Sequence, residues 1–248
     1  MTVDFGNTGA DYAEYRPPFA AELFERLAHF RIGLHGQRAL DIGSGTGLLA
    51  AQLHGQGCEV IASDPSVGLL SHAQRVHRVA AHVEGLPFND ASFDLVTAAQ
   101  CWHWFDRTLA PHEILRVLRA GGSLAVIYQT YIPLPGSVAE ATERLILKHR
   151  PSWRHANSTG INGQVLRDVQ VAGFVDIESF SFDVDIAFSH VGWSGFIRTT
   201  SPVGASMNAS QVEQFDQEHL LLLRDWPTTL RVPHRVFAAI ARKRPERI

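Results

Sequence analysis

The spacing of hydrophobic residues changes repeatedly along the first half of the chain, and it predicts helices and strands in turn. Behind Pro17-Pro18, apolar residues recur at the spacing of a helix: Phe19, Leu23, Phe24, Leu27 and Phe30. Short apolar runs bounded by turn residues then predict strands, and each run is followed by a helical stretch. This alternation is typical of βαβ units and of a parallel sheet.

The pattern predicts a definite series of elements. In the first half, we predict strands at residues 37–42, 59–63, 79–83, 93–99 and 123–128, with helices at 48–54, 66–76 and 111–118. After Thr130 the rhythm changes. There we predict helices at 138–149, 164–172, 190–199 and 210–225, a half-exposed antiparallel strand at 176–188, and a closing strand at 232–241.

The predicted fold is one doubly wound α/β domain over residues 1–248. The chain has 248 residues, which suits a single large domain with a substantial core. We expect helices on both faces of a mostly parallel sheet, with a core over about residues 12–128. Residues 129–248 are expected to add a partial helical lid and the closing strands.

Composition excludes several classes of protein. Hydrophobic residues make up 45% and charged residues 19%, as in ordinary globular proteins. The formal net charge of -3 provides no basic surface for nucleic acid. No apolar run approaches the roughly 18 residues of a membrane span, and the first residues lack the features of a secretory signal. We therefore expect a cytoplasmic protein with no nucleic-acid or membrane partner.

Cysteine and histidine spacing adds little further chemistry. Cys58 and Cys101 are too few for a disulfide scaffold and suit a reducing compartment. Cys101 lies beside a candidate site, but we expect it to serve in packing. The thirteen histidines show no metal-ligand spacing, so no metal is predicted.

The strongest chemical signal is a glycine-rich loop between the first predicted strand and the next helix. Asp41 precedes Gly43, Gly45 and Gly47, where a cofactor loop belongs in this type of fold. A ligand-free tight turn is the alternative. A nicotinamide site favours the spacing G-x-G-x-x-G, whereas this loop has G-x-G-x-G. The Asp41 carboxylate would repel a pyrophosphate but attract the ammonium and sulfonium groups of S-adenosylmethionine.

A second acidic residue follows the second predicted strand. Asp64 is placed to accept hydrogen bonds from both hydroxyls of a ribose. NAD sites share this feature, so it predicts adenosine binding without choosing a cofactor.

Several segments together resemble one enzyme family. Residues Ala39–Gly47 resemble the first motif of class I S-adenosylmethionine-dependent methyltransferases, and Val83–Gln100 resembles their third and fourth motifs. The runs Cys101–Asp106 and Arg116–Gly122 narrow the likeness to the "type 11" small-molecule branch and, within it, to the trans-aconitate methyltransferase-like group. Tyr12–Pro18 resembles the N-terminal signature of that group. The resemblance is specific from about Tyr12 to Tyr128.

The resemblance implies a seven-stranded Rossmann-like sheet with an antiparallel last strand, and S-adenosylmethionine as the cofactor, with S-adenosylhomocysteine as the product. It also implies the cofactor contacts. These are Asp41, Gly43, Ser44 and Gly45 on the methionine moiety, Asp64 on the ribose, Val83 and Glu84 beside the adenine, Gln100 along the cofactor, and Tyr12, Tyr15 and Arg16 in a closing N-terminal segment.

One position departs from the family pattern. Many relatives carry an aspartate that binds the adenine amino group where this chain has His82. A backbone contact at Val83 or the carboxylate of Glu84 is expected to replace it.

The acceptor side is less defined. His103 is the candidate general base, with a loop-orienting role as the alternative. For Trp102 and Trp104, which we place in an extended segment, one is expected in the core and the other, Trp104, beside the acceptor. From the second half we predict Trp193 and Arg198 as acceptor contacts, Arg198 through a bidentate bond to a carboxylate. A solvated surface arginine is the alternative.

Three functions follow from these patterns. The first is methyl transfer to a small molecule, either an organic acid or a ring compound, by a monomer or homodimer. The second is a nucleotide-dependent oxidoreductase that binds NAD or NADP. The third is a catalytically silent cofactor-binding module.

Overall fold

The computed structural model describes residues 9–245. The strands in this range are β1 (Arg38–Ile42), β2 (Glu59–Ser63), β3 (His77–Val79), β4 (Phe93–Ala99), β5 (Leu118–Tyr131), β6 (Val175–Ser189) and β7 (Thr229–Arg242). The helices are α1 (Gly9–Tyr15), α2 (Ala21–His29), α3 (Leu48–Gly55), α4 (Val67–Leu70), α5 (Leu109–Val117), α6 (Val138–His149), α7 (Gln164–Ala172), α8 (His190–Arg198) and α9 (Ala209–Leu223).

The seven strands form one sheet in the order β3-β2-β1-β4-β5-β7-β6. The pairs β1–β2, β1–β4, β2–β3 and β4–β5 are parallel. Lys243 exchanges backbone hydrogen bonds with Gly121 and Gly122 near the start of β5, while the Ile132 amide after its end donates to Pro233. β7 therefore runs antiparallel to β5. This doubly wound, mostly parallel Rossmann-like sheet confirms the predicted fold class.

Local sequence signals explain where several helices begin and end. The side chains of Ser137 and Ser189 accept hydrogen bonds from backbone amides at the starts of α6 and α8. Asn208 and Gln211 form a capping box at the start of α9. Gly173 ends α7 in the left-handed conformation that glycine adopts most readily.

Two predicted elements near the second strand are wrong in extent. The helix predicted for residues 66–76 ends at Leu70 as the single turn α4, and Arg75, with a φ of 65°, cannot belong to a right-handed helix. The strand predicted for residues 79–83 is β3, which ends at Val79. Residues Val83–Gly85 instead form a 3₁₀ turn.

The chain divides into two compact units. The sheet unit comprises residues 18–129, 162–182 and 236–245, and the helical unit comprises residues 9–17, 130–161 and 183–235. The first boundary falls close to the end of the predicted core at residue 128. The single domain and the lid stay predictions. The first residues, on which the prediction of no secretory signal rests, lie outside the described range.

Each unit has its own hydrophobic core. In the sheet unit, the apolar residues of β1, β4 and β5 pack with α5 and α7, and Phe93, Leu40 and Ile114 are fully buried. In the helical unit, Trp193 and Phe215 are fully buried among residues of α6, α8 and α9. Burying side chains of this size is the main favourable term in folding.

Two further features concern residues 9–245 as a whole. No helix in this range combines the length and the apolar character needed to cross a membrane. Within the same range, no group of three or more histidine, cysteine or acidic side chains is arranged to hold a metal ion.

The helical unit also contains two buried histidines, His219 and His234. His234 is fully buried, its Nδ1 lies 2.9 Å from the Val232 carbonyl oxygen, and aromatic rings of Phe188 and Phe196 pack around it. Burial lowers the pKa of His234 to about 4 and that of His219 to about 4.

We expect these histidines to make the protein sensitive to mild acid. A histidine whose pKa is depressed on folding binds fewer protons in the folded state, so its contribution to stability is lost as the pH falls below about 6.5. For His234 alone the loss between pH 7 and pH 5 is about 2 kcal/mol. Urea unfolding at both pH values should show a smaller loss for His234→Phe than for the wild type. Equal losses in the two proteins would contradict the assignment.

Candidate functional site

The carboxyl ends of three parallel strands bring the candidate residues of the sheet unit together. The glycine-rich loop follows β1, Asp64 follows β2, and Gln100 follows β4. β1 pairs directly with both β2 and β4, so the three strands end side by side. In open α/β sheets this edge is where ligands bind.

Asp41 is buried on β1 immediately before the loop. Its register partner on β4 is Thr97, whose hydroxyl donates to Asp41 Oδ1 at 2.7 Å, and the Ser44 hydroxyl donates to Oδ2 at 2.6 Å. Burial raises the pKa of Asp41 to about 6, although both hydroxyls lower it. The site therefore holds a buried carboxylate that a nearby positive charge would stabilise in its ionised form.

Asp64 connects β2 to the glycine-rich loop. Its Oδ2 accepts a hydrogen bond from the Gly45 amide at 2.9 Å, and its Oδ1 accepts one from the Ser66 amide at 2.8 Å. Each carboxylate oxygen can accept a second bond. Asp64 can therefore bind two hydroxyl groups while it holds the loop. The Gly45 amide is committed to Asp64, so the contact of Gly45 with a ligand is limited to close approach of its backbone.

The three glycines of the loop all have positive φ, but their surroundings differ. A Cβ atom at Gly47 would lie 2.6 Å from the Ala73 Cβ, and one at Gly43 would lie 2.7 Å from the Cys101 Cβ. A Cβ atom at Gly45 would meet no atom within 4 Å. Gly43 and Gly47 are thus required for packing, whereas Gly45 leaves open space that a ligand can approach.

The turn at Val83–Gly85 carries the residues predicted to flank an adenine. Val83 is buried, and the Glu84 carboxylate accepts a hydrogen bond from the Asp106 amide at 2.9 Å. Glu84 thereby joins this turn to the segment after β4. The side chain of His82 is exposed.

Gln100 follows β4 in a left-handed conformation with a φ of 60°. Its side-chain amide donates to the Gln129 carbonyl at 2.6 Å, and its backbone amide donates to Ile127. A non-glycine residue in this region of φ/ψ space is uncommon and is found disproportionately at functional sites. The predicted contact of Gln100 with a cofactor stays a prediction.

The segment after Gln100 turns instead of extending. Residues Trp102–Trp104 form a 3₁₀ turn, so the extended backbone assumed for this segment is wrong. Trp102 is buried and Trp104 is 46% exposed, which confirms that one indole packs in the core. The exposed His103 ring lies 4.7 Å from the Trp104 ring and 6.2 Å from the Tyr128 ring, measured between centroids.

Cys101 packs against the loop. It is buried, its Sγ atom donates to the Ile42 carbonyl at 3.2 Å, and burial raises the pKa of its thiol well above the usual value. A thiol with a raised pKa is a poor nucleophile. The predicted packing role of Cys101 is confirmed.

The N-terminal candidates lie in the helical unit. The Arg16 guanidinium donates to Thr199 Oγ1 at 2.8 Å and stacks over the rings of Tyr12 and Phe196. Tyr15 packs so closely on Gly195 that a Cβ there would lie 2.4 Å from its ring. The predicted role of Tyr12, Tyr15 and Arg16 at the cofactor stays a prediction.

The acceptor candidates of the helical unit have structural contacts. Trp193 is fully buried and its indole donates to the Thr142 hydroxyl at 2.9 Å. Arg198 donates to both oxygens of Asp11 and to Asp216, with shortest distances of 2.7 Å to each residue. Arg198 is therefore not a solvated surface arginine, which was the alternative to an acceptor contact. Its contact with an acceptor carboxylate, like that of Trp193, stays a prediction.

Sequence patterns missed two polar residues that hydrogen-bond to Asp41 and to Trp102. Thr97 lies within an apolar strand, where a single hydroxyl opposite Asp41 in the neighbouring strand was the available signal. Asp168 lies far along the chain on α7, and its Oδ2 accepts a hydrogen bond from the buried Trp102 indole at 3.0 Å. No spacing in the sequence points to this pair.

Proteins similar in sequence to this chain include methyltransferases. Residues 40–126, all within the sheet unit, match a family described as a methyltransferase domain. An uncharacterised methyltransferase of Mycobacterium tuberculosis is 35% identical over 147 residues, 58% of this chain and 59% of the relative. A demethylmenaquinone methyltransferase of Clavibacter sepedonicus is 28% identical over 182 residues, 63% of this chain and 73% of the relative. This chain thus spans 59% of the length of the mycobacterial relative.

Solved structures share the fold. A candidate type II methyltransferase from Anaeromyxobacter dehalogenans has a TM-score of 0.69 at 24% identity, covering 94% of this chain and 100% of that one. A phosphoethanolamine N-methyltransferase of Haemonchus contortus, solved with S-adenosylhomocysteine, has a TM-score of 0.56 at 19% identity, covering 97% of this chain and 58% of that one. Residues 40–126 are thus similar to a methyltransferase domain, and the fold is shared with solved methyltransferase structures.

Two loop glycines should respond differently to the same substitution. Alanine pays about 1–2 kcal/mol for a left-handed conformation at either position. Gly47→Ala also forces a Cβ into Ala73, so we expect it to cost about 1–3 kcal/mol more in unfolding free energy than Gly45→Ala. Urea denaturation of both variants measures the difference. Equal stabilities would show that the packing against Ala73 is not restrictive.

Proposed function

We propose that this protein transfers a methyl group from S-adenosylmethionine to a small organic molecule. The observation that carries the proposal is the buried Asp41 carboxylate at the base of a glycine-rich loop, beside Asp64 with its remaining acceptor capacity. A sulfonium cofactor brings the positive charge that such a carboxylate favours, whereas a pyrophosphate brings more negative charge. The family match and the relatives support the same reaction.

In this proposal, different residues of the sheet unit bind different parts of the cofactor. Asp41 and Ser44 attract the ammonium end of the methionine moiety. The open space at Gly45 leaves room for the main-chain atoms of that moiety. Asp64 accepts hydrogen bonds from the ribose hydroxyls. Val83 packs beside the adenine, and Gln100 borders the cofactor after β4. Glu84 holds the Asp106 amide through Oε1 and keeps further acceptor capacity, so either its carboxylate or a backbone contact at Val83 substitutes for the aspartate that His82 replaces.

S-adenosylmethionine supplies an electrophilic methyl group and leaves as S-adenosylhomocysteine. The task of the protein is to align the acceptor with the methyl carbon and the sulfur, and such placement can supply roughly 7–11 kcal/mol of barrier reduction. A carboxylate acceptor needs no base. A hydroxyl, amine or carbon acceptor that must lose a proton would use His103, which is exposed beside Trp104.

Two acceptor classes are compatible with this proposal. The resemblance to the trans-aconitate methyltransferase-like group supports an organic acid. The half-exposed Trp104 beside His103 supports a ring compound, because an aromatic face can stack on a planar molecule. The paired state of Arg198 removes one argument for the acid. The enzyme would act on either as a monomer or homodimer in the cytoplasm, without nucleic acid or membrane.

Cofactor binding is the first test. Calorimetric titration of the full chain should show binding of S-adenosylmethionine and none of NAD or NADP. Asp64→Ala should weaken the affinity by roughly ten- to hundred-fold, because it removes hydrogen bonds to a charged group. Asp94→Ala is the matched control, since Asp94 also accepts a backbone amide bond, from Arg38, but near the opposite end of the strands. Binding of NAD in place of S-adenosylmethionine would refute the proposal.

The affinity for S-adenosylmethionine should also depend on pH. The pKa of Asp41 is raised to about 6 by burial, so the ionised carboxylate that attracts the cofactor is lost as the pH falls through 6. Between pH 7 and pH 5 we expect about a tenfold loss of affinity. The contribution of Asp41 to the stability of the unliganded protein has the opposite sign, since a carboxyl pKa that is raised on folding makes this contribution fall as the pH rises from about 4 to 6.

Asp41→Asn separates this effect from other titrations. Its affinity should be lower at pH 7 and should change less between pH 7 and pH 5 than that of the wild type. A pH profile identical in the two proteins would assign the dependence to another group.

A further inference from the structure

The segment Cys101–Arg107 is anchored from α7 by one buried carboxylate. Asp168 Oδ2 accepts hydrogen bonds from the Trp102 indole at 3.0 Å and from Arg107 Nε at 2.9 Å. Its Oδ1 accepts from Arg107 Nη2 at 2.7 Å and from the Gln164 amide at 3.0 Å. The Asp168 side chain is 6% exposed. Both ends of the segment are thus fixed to the same side chain.

The electrostatics of this carboxylate favour the charged form. Burial raises the pKa of Asp168, but the hydrogen bonds from Arg107, Trp102 and Gln164 outweigh it and hold the pKa below the usual value. The Arg107 contact is bidentate, a geometry that restrains both partners. Asp168 is therefore ionised and fixed at neutral pH.

The same segment contacts the cofactor loop and the adenine turn. Cys101 lies against Gly43 and donates to the Ile42 carbonyl. The Asp106 amide donates to Glu84 on the turn at Val83–Gly85. The segment therefore stands between Asp168 on one side and both proposed cofactor-binding elements on the other.

Regular backbone hydrogen bonding does little to hold this segment in place. Its local bonds run from the Trp104 amide to Cys101 and from the Phe105 amide to Trp102, which close a single turn. The turn lies between the end of β4 and the start of α5, and side-chain contacts fix its position between them.

We propose that Asp168 is a positioning residue for the cofactor site, acting through Trp102 and Arg107 on the segment that supports Gly43 and Glu84. The inference rests on the proposed function, because it treats the loop and the turn as the cofactor site. Asp168 lies outside residues 40–126, the range that matches the methyltransferase family. A residue of α7 thus contributes to a site whose recognised motifs end before it.

The test compares affinities for S-adenosylmethionine measured by calorimetry, with folding checked by circular dichroism and thermal unfolding. Removing a side chain that orients metal ligands costs about 10- to 100-fold in metal affinity or activity, and we expect an effect of similar size for a side chain that orients a cofactor site. We expect Asp168→Ala to weaken binding at least tenfold at a temperature where it is fully folded. Asp168→Asn, which keeps an oxygen for the Trp102 indole, should recover part of that loss, whereas a purely stabilising role would leave the affinity of every folded variant unchanged.

A double-mutant cycle tests whether Asp168 acts on the cofactor site through its hydrogen bond with Trp102. Trp102→Phe removes the indole N–H and keeps an aromatic ring. If Asp168 acts partly through this bond, Asp168→Ala combined with Trp102→Phe should bind more tightly than the sum of the two single losses predicts. Asp183→Ala is the matched control, because Asp183 forms a similar bidentate pair with Arg235 in the helical unit. The affinity of the Asp183→Ala variant for S-adenosylmethionine should equal that of the wild type.

The outcomes separate the two proposals. If the wild type binds no S-adenosylmethionine, the proposed function fails and this inference fails with it. If the wild type binds and folded Asp168→Ala binds equally well, only the inference is overturned. If Asp168→Ala does not fold, Asp168→Asn and Arg107→Gln provide the comparison, and wild-type affinity in both would overturn it.

Discussion

The parallel pairing of β1 with β2 and β4 is the constraint on which the site depends. Three strands that run in the same direction end at one edge, and the chain leaves each through a short irregular segment. The glycine-rich loop, Asp64 and the segment after Gln100 are neighbours for this reason alone. The register adds a finer consequence, since Asp41 and Thr97 are paired and the hydroxyl meets the carboxylate without any loop rearrangement.

Much of this architecture could be predicted from the sequence. The strands at 59–63 and 93–99 and the helices at 138–149 and 164–172 were predicted with the bounds observed, because each has a clear apolar period and a clear end signal. Asp41, Asp64 and the loop glycines lie next to one another in the chain or directly after strands, so local spacing indicated their edge of the sheet. The helix after β2 was overestimated because propensity alone did not reveal the left-handed Arg75.

The rest depends on contacts between residues far apart in sequence. The bond between Trp102 and Asp168 joins residues 66 positions apart, and no local period encodes it. The sequence suggests a ligand for Arg198 because arginine often binds carboxylates, and it does not reveal that two carboxylates of the chain itself pair with this side chain. A side chain suited to a ligand is equally suited to an internal partner, and only the tertiary structure distinguishes them.

The different surroundings of Gly45 and Gly47 bear on how related sequences should be read. A relative that keeps glycine at the position of Gly47 shows only that its loop packs in the same way, since that glycine is required against Ala73 whether or not a ligand is present. Glycine at the position of Gly45 faces no such neighbour. In relatives that have lost cofactor binding, we expect residues other than glycine to appear at the position of Gly45 before they appear at that of Gly47. The residue at this position can therefore be used to distinguish active enzymes from inactive relatives with the same fold.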